Sequence, residues 1–312
     1  MATRGITVVG SLNMDVRLGV ARLPRSGETI AADGLTRSIG GKGGNQAVAA
    51  ARLGRPVTMV GAVGDDEAGR EITARLDAEG VATDGVDTVE GPSGTAVVLW
   101  ERPESTIVIA AGANAAVDAA RVSAHAGLVR AAGAVLCQLE TPESALEAVL
   151  ATARGLTVLN PAPAGERLPG CARHFGLLVP NRHELATLAG ASRPPATVDD
   201  VEALARTLSL EGDLVVTLGA DGSAVVPGGT GRATHVPART VTAVDTTAAG
   251  DSYCAALAGA LLDGATLVDA AHWASAVAAV TTTRHGAMDS LPVRADIPAS
   301  PSTAQCEKAA TR

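Results

Sequence analysis

Gly40-Gly41-Lys42-Gly43-Gly44-Asn45-Gln46-Ala47 leads directly into the helical pattern AVAAARLG at 47–54. Far downstream, Val244-Asp245-Thr246-Thr247-Ala248-Ala249-Gly250-Asp251-Ser252 leads in the same way into YCAALAGALL. Both stretches are turns of small residues that open a helix. In the first, glycine allows the backbone to approach a ligand closely, and the helix N-terminus offers free N–H groups to oxygens. In the second, successive amides of small residues make a nest suited to a phosphate oxygen or to developing negative charge. Asp251 falls in the first helical turn, where the helix dipole favours its carboxylate, so it can act as a base. Taken singly, the first stretch also reads as a plain helix-entry turn and Asp251 as an ordinary first-turn acid. Neither stretch contains G-K-[ST] or the G-x-G-x-x-G dinucleotide fingerprint.

Outward from these turns, short β-branched runs alternate with longer Ala/Leu patterns. Ile6 to Val9, Val57 to Val63, Ala134 to Cys137, Leu156 to Leu159 and Leu214 to Leu218 read as buried strands. Asn45 to Leu53, Glu67 to Glu79, Pro142 to Ala153, Asp199 to Leu210, Asp251 to Leu262 and Leu267 to Thr283 read as helices. This alternation predicts a doubly wound α/β fold: a mostly parallel central sheet with helices on both faces. Two stretches break the rhythm, 15–39 and 94–111, with strand-like segments and no helix between them. They fit hairpins that form a small β-sheet lid over the active face, with surface hairpins without function as the lesser alternative. The expected organisation is one domain over 1–294 followed by a partly disordered tail over 295–312.

Composition narrows the function. The 312 residues carry a formal net charge of -8, and the lysines are Lys42 and Lys308 alone, so a broad basic surface for nucleic acid is not expected. Aromatic residues make up 1%, too few for a base-stacking platform or an aromatic sugar groove. Four widely spaced cysteines without a C-x-x-C, no apolar signal core and no apolar run of membrane-spanning length point to the cytoplasm, with no membrane partner. The six histidines show no metal-ligand spacing, and no G-x-S-x-G is present.

Together the two turns match, position by position, the two signatures of the ribokinase-like (PfkB) carbohydrate kinase family. Gly40, Gly41, Gly43, Asn45, Ala47, Gly54 and Gly64 carry the first, and Asp245, Thr246, Ala248, Ala249, Gly250 and Asp251 the second. The resemblance extends through about Pro292: GSLNMD at 10–15, LPRSGET at 23–29, AGAN at 111–114, QLE at 138–140, LNPAPA at 159–164, Asn181-Arg182-His183-Glu184 and TLGADG at 217–222 are similar to family segments.

This resemblance implies an ATP-dependent kinase for the primary hydroxyl of a small sugar, D-ribose first. A kinase for another furanose compound (deoxyribose or a nucleoside) and a non-catalytic sugar sensor on the same fold stand as alternatives. A Rossmann dehydrogenase is disfavoured because GSLNMD stands where its fingerprint would follow the first strand. By resemblance, Asn13, Asp15, Gly41, Lys42, Asn45 and Glu140 hold the sugar. Asp251 is the base on the attacking hydroxyl, and the amides of Ala248, Ala249 and Gly250 receive the charge of the transferred group. Asn181, Thr217, Gly219, Gly222 and Ser275 are assigned to the nucleotide, and Glu184 to Mg2+ through water. Asp245, Thr247, Thr282, His285, Ala287 and Ser290 are assigned to a K+ ion behind the anion turn. Family members commonly carry Asn where Ser275 stands, which leaves the nucleobase open. A homodimer through the lid is the implied assembly.

Overall fold

A computed structural model describes residues 5–101 and 104–298 of the chain. The strands are β1 (Ile6–Val9), β2 (Asn13–Gly19), β3 (Gly34–Gly40), β4 (Val57–Gly64), β5 (Val81–Val89), β6 (Gly94–Glu101), β7 (Glu104–Ala110), β8 (Ala134–Gln138), β9 (Leu156–Asn160), β10 (Leu177–Leu178), β11 (Asp213–Thr217), β12 (Ser223–Val226) and β13 (Thr234–Val236). The α-helices are α1 (Lys42–Arg52), α2 (Glu67–Ala78), α3 (Ala119–Ala124), α4 (Ala126–Ala131), α5 (Glu143–Thr152), α6 (Arg182–Leu188), α7 (Val198–Leu208), α8 (Ala249–Leu262) and α9 (Leu267–Thr282).

Nine strands form the central sheet in the order β13-β12-β11-β10-β9-β8-β1-β4-β5, parallel except at one edge, where β12 pairs antiparallel with both β11 and β13. Its inner strands are apolar on both faces because helices cover both. In β8, Ala134 and Leu136 join one core with α1, α8 and α9, while Val135 and Cys137 join the other with α5 and α7. The chain runs from β1 outward to β4 and β5, then returns to β8 beside β1 and proceeds the other way. The strand order therefore reverses between β1 and β8, and the crevice beyond the carboxyl ends of these two strands is where open α/β sheets bind ligands.

Over this crevice lies the lid, a four-stranded sheet ordered β3-β2-β6-β7. Its two hairpin pairings are antiparallel, and β2 and β6 join them in parallel, with Asn13 opposite Gly94 and Gly19 opposite Trp100. The two segments that break the α/β rhythm are thus one sheet.

Helix bounds differ from the sequence reading by up to three residues, most of all at α1. Helix α1 starts at Lys42 rather than Asn45, so Gly43 and Gly44 lie inside its first turn. Glycine is a poor helix former, but a Cβ on Gly43 would stand 2.6 Å from Ser11 N and 2.7 Å from Gly10 C. Close packing of α1 on the end of β1 overrides the propensity. At the C-terminal end, Arg294–Asp296 forms a 3-10 turn and Ile297 is buried against the main core, so the chain stays packed past 295. The rest of the expected tail, 299–312, lies outside the described residues. No described helix is long and apolar enough to cross a membrane.

Candidate active site

The carboxyl ends of β1, β8 and β9 and the N-termini of α1 and α8 converge on Asp251, which is 6% exposed. Asn45 Nδ2 donates to its Oδ2 at 2.9 Å and Gln46 Nε2 to its Oδ1 at 3.2 Å, so each carboxylate oxygen has its own amide donor. Gln46 is fixed in turn by Gln138 Nε2, which donates to its Oε1 at 2.7 Å. Burial raises the pKa of Asp251, while Lys42 and the Asn45 and Gln46 amides pull it back. A buried carboxylate held by two donors is a base with a fixed direction.

Around Asp251 stand the other residues expected to hold a sugar. Glu140 Oε2 accepts from Ser11 Oγ and, at 3.2 Å, from Lys42 N. Asn13 is buried, and its Oδ1 accepts from Asn114 Nδ2 at 2.7 Å; Asn114 also bonds both backbone polar groups of Leu12. Asp15, on the lid, is pushed up to about 7 by burial and by Glu140 and Asp251. Burial disfavours the Lys42 ammonium, yet Asp251, Glu140 and Glu184 outweigh it and raise the lysine pKa. Gly41 takes φ +87, and a Cβ there would stand 2.8 Å from Asn13 N and Ser11 O. Asn45 Oδ1 is a buried acceptor with no partner in the protein. An orphaned acceptor beside three carboxylates matches a polyhydroxylated ligand, whose O–H groups supply the missing donors.

The anion turn precedes α8. Ala248 adopts a left-handed conformation, φ 60 and ψ 6, and begins the helix without a side-chain cap. A non-glycine residue held there costs about 1 kcal/mol, a local strain of the kind found at ligand-binding turns.

Beside this turn is a cavity of about 410 Å³. Four of the residues assigned to the nucleotide line it, Thr217, Gly219, Gly222 and Ser275, together with Ala249 and Gly250. Gly222 has φ +91, and a Cβ there would run into the backbone of Val236 and Ala238. Asn181 does not line the cavity. It caps α6, accepting from His183 N at 2.8 Å and Glu184 N at 2.9 Å, and bridges to Thr217 on the adjoining strand. Glu184 closes the capping box by accepting from Asn181 N at 2.7 Å, while burial raises its pKa and Lys42 lowers it. This carboxylate therefore shares a field with Lys42 and Asp251 and suits a hard cation held through water.

The segments assigned to potassium adjoin. Gly286 N donates to Asp245 Oδ2 at 3.1 Å, Thr247 N donates to Asp245 Oδ1 at 2.9 Å, and His285 Nδ1 lies 4.0 Å from Asp245 Oδ2. Thr282 O accepts from Val244 N at 2.8 Å, and Ala287 O from Ser290 Oγ at 2.8 Å. Oxygen donors of the right type are gathered; Thr282 O also accepts from Asp245 N at 3.2 Å and Ala287 O from Ser290 N at 3.3 Å, so both carbonyls already carry two bonds.

Sequence reasoning assigned no role to Gln46, Ser11, Asn114 or Gln138. AGAN and QLE were legible as segments, but only the packing of strand ends shows that their side chains support Asn13 and Gln46.

Residues 3–294 match the family model described as pfkB family carbohydrate kinase, and the chain belongs to that family. The enzyme is a carbohydrate kinase. Over 301 residues it is 39% identical to ribokinase of Schizosaccharomyces pombe, covering 92% of this chain and 94% of that protein. Over 300 residues it is 35% identical to ribokinase of Bacillus subtilis, covering 94% and 98%. The solved structure of Arabidopsis thaliana ribokinase complexed with ribose and ATP superposes with a TM-score of 0.84 at 31% identity, covering 94% of this chain and 97% of that one.

Proposed function

We propose that this chain transfers the γ-phosphoryl group of ATP to the primary hydroxyl of D-ribose, giving ADP and D-ribose 5-phosphate. The observation that carries the reading is the buried Asp251 carboxylate, gripped by Asn45 and Gln46 beside the orphaned Asn45 Oδ1 and at the mouth of the anion turn. Asp251 takes the proton of the hydroxyl, whose oxygen attacks phosphorus as the bond to the ADP oxygen breaks. The amides of Ala248, Ala249 and Gly250 receive the charge on the transferred oxygens. Asn13, Asp15, Lys42 and Glu140 hold the other hydroxyls, and Gly41 lets the backbone approach. Thr217, Gly219, Gly222 and Ser275 cradle the nucleoside, with Asn181 bracing the strand end beside Thr217. Magnesium, held through water by Glu184, would neutralise phosphate charge.

The test is ADP release over a panel of sugars. Ribose is expected to exceed 2-deoxyribose in kcat/KM by at least about tenfold, because a site built to pair a hydroxyl strands its own polar groups when that hydroxyl is missing. Equal efficiency, or a preference for a nucleoside, would overturn the choice of acceptor. In the same assay potassium is expected to raise kcat or lower KM several-fold over sodium at equal ionic strength. A weakly hydrated cation suits the Asp245, Thr247, Thr282, His285, Ala287 and Ser290 oxygens and would stiffen the anion turn from behind. Indifference to the cation would remove that site and leave the kinase standing.

Homodimerisation through the lid is supported by its exposed apolar side chains, Leu35, Ile107, Val108 and Ile109, on the edge strands β3 and β7. A monomer by light scattering at micromolar concentration would exclude it. The buried free thiols of Cys137 and Cys254 fit a reducing cytoplasm.

A further inference from the structure

Arg17 follows Asp15 by two residues on β2, so both side chains leave the same face of the lid, the face turned to the crevice. Across the parallel seam, Trp100 on β6 stands opposite Gly19. With no side chain at 19, the indole can lie along β2, and the Arg17 guanidinium carbon rests 3.9 Å from its ring centroid. From this platform Nη1 reaches across to the main domain, 3.7 Å from Asp245 Oδ2. Arg17 Nε is buried without a hydrogen-bond partner, while the side chain as a whole is 32% exposed, so the guanidinium lies between the ring and the carboxylate with part of it open to water. Asp245 belongs to the turn that presents the amides of 248–250, and its carboxylate is already fixed by Thr247 and Gly286. The lid also approaches the main domain through Arg37 and Glu71, 4.0 Å apart, but that pair is solvent-exposed and touches no part of the site.

We propose that Arg17 is a positioning residue that couples the sugar lid to the anion turn. Sugar held by Asp15 fixes β2. Arg17, two residues along the same strand and pinned flat by Trp100, then fixes Asp245, and with it the turn that receives the phosphate. Sugar and nucleotide, which occupy different parts of the crevice, are thereby made to favour each other's binding. This rests on the ribose kinase reading. The planar guanidinium is essential to it, because it stacks on the indole and points a charge along its own plane.

The test measures ADP affinity by calorimetry with and without saturating ribose. In the parent protein ribose is expected to tighten ADP binding roughly five- to tenfold, and ADP to tighten ribose binding by the same factor, as linkage requires. Arg17→Met keeps an apolar stem of similar length against Trp100 and removes the charge. It should bring that ratio to about one while changing the affinity for ribose alone by less than about threefold. A merely structural contribution would weaken both ligands and leave the ratio intact. In a Trp273→Phe background Trp100 is the remaining tryptophan, and its emission should shift on ribose addition, a shift that Arg17→Met abolishes. An unchanged ratio in Arg17→Met, or a parent ratio of one despite ribose binding, would overturn the coupling alone. A parent protein that binds no ribose would overturn the ribose reading and the coupling with it.

Discussion

Asp251→Asn is expected to lower turnover by about 10²- to 10⁴-fold, equivalent to about 3 to 5 kcal/mol of barrier, while ribose binding changes far less. The substitution is nearly isosteric but cannot take a proton. It also disturbs the local pairing, since Asn45 and Gln46 each donate to one carboxylate oxygen and an amide can accept from only one of them. The base must be ionised to work, and burial raises its pKa above the ordinary carboxylate value despite Lys42, Asn45 and Gln46. Activity should therefore fall as pH drops through that raised value, giving an acidic limb displaced upward from an ordinary aspartate. ADP release and ribose titration together check this. Turnover within about threefold of the parent would remove Asp251 from the base role.

Asp15→Asn should trade function for stability. Folded Asp15 has its pKa pushed up to about 7 from 3.8, by burial first and then by Glu140 and Asp251. The folded state thus holds a proton between those values that the unfolded chain has released. The native state pays no penalty below the unfolded value, loses stability as pH rises between the two, and carries the full cost above 7. That cost is on the order of 2 to 4 kcal/mol. An uncharged amide escapes it, so the variant should melt several degrees above the parent at pH ~8 and show no advantage at pH ~4. Ribose affinity should fall by about 10- to 100-fold, because a hydroxyl donor loses its charged acceptor. Equal melting temperatures at both pH values would show that burial and the neighbouring Glu140 and Asp251 do not destabilise the ionised Asp15.

The parts of the fold legible in the sequence are those where one physical signal dominates. The β-branched runs of β1, β4, β8, β9 and β11 are buried on both faces and read as strands to within one or two residues. The lid was legible as a break in the α/β rhythm. Strand β5, VATDGVDTV, was not, because it lies at the sheet edge with polar residues throughout. Strands β10, β12 and β13 have two to four residues each, too few to show a period. The site follows the same division. Asp251 and the two glycine-rich turns stand in contiguous segments, so their chemistry can be read locally. Gln46 could not be assigned, because its role depends on Gln138 and Asp251, which only the strand order brings together. Asn181 and Glu184 read as ligands, and their capping box shows the same residues also building a helix end.

The parallel seam of the lid sets an order on assembly. β2 is made early, but its inner neighbour β6 starts at Gly94, opposite Asn13, and β3, α1, β4, α2 and β5 intervene. Closing so long a loop before any contact is gained is entropically slow, so β2 and β3 wait as an open-edged hairpin while the first half of the main sheet emerges from the ribosome. A chain interrupted anywhere before residue 94 has neither β6 nor β8, and so lacks both the completed roof and the crevice beneath it. A chain completed through β7 has the roof, but still lacks β8, α8 and the base they position. Partial products of synthesis are therefore catalytically silent, and their hazard is the unpaired edge of β2, where another growing chain could add a strand.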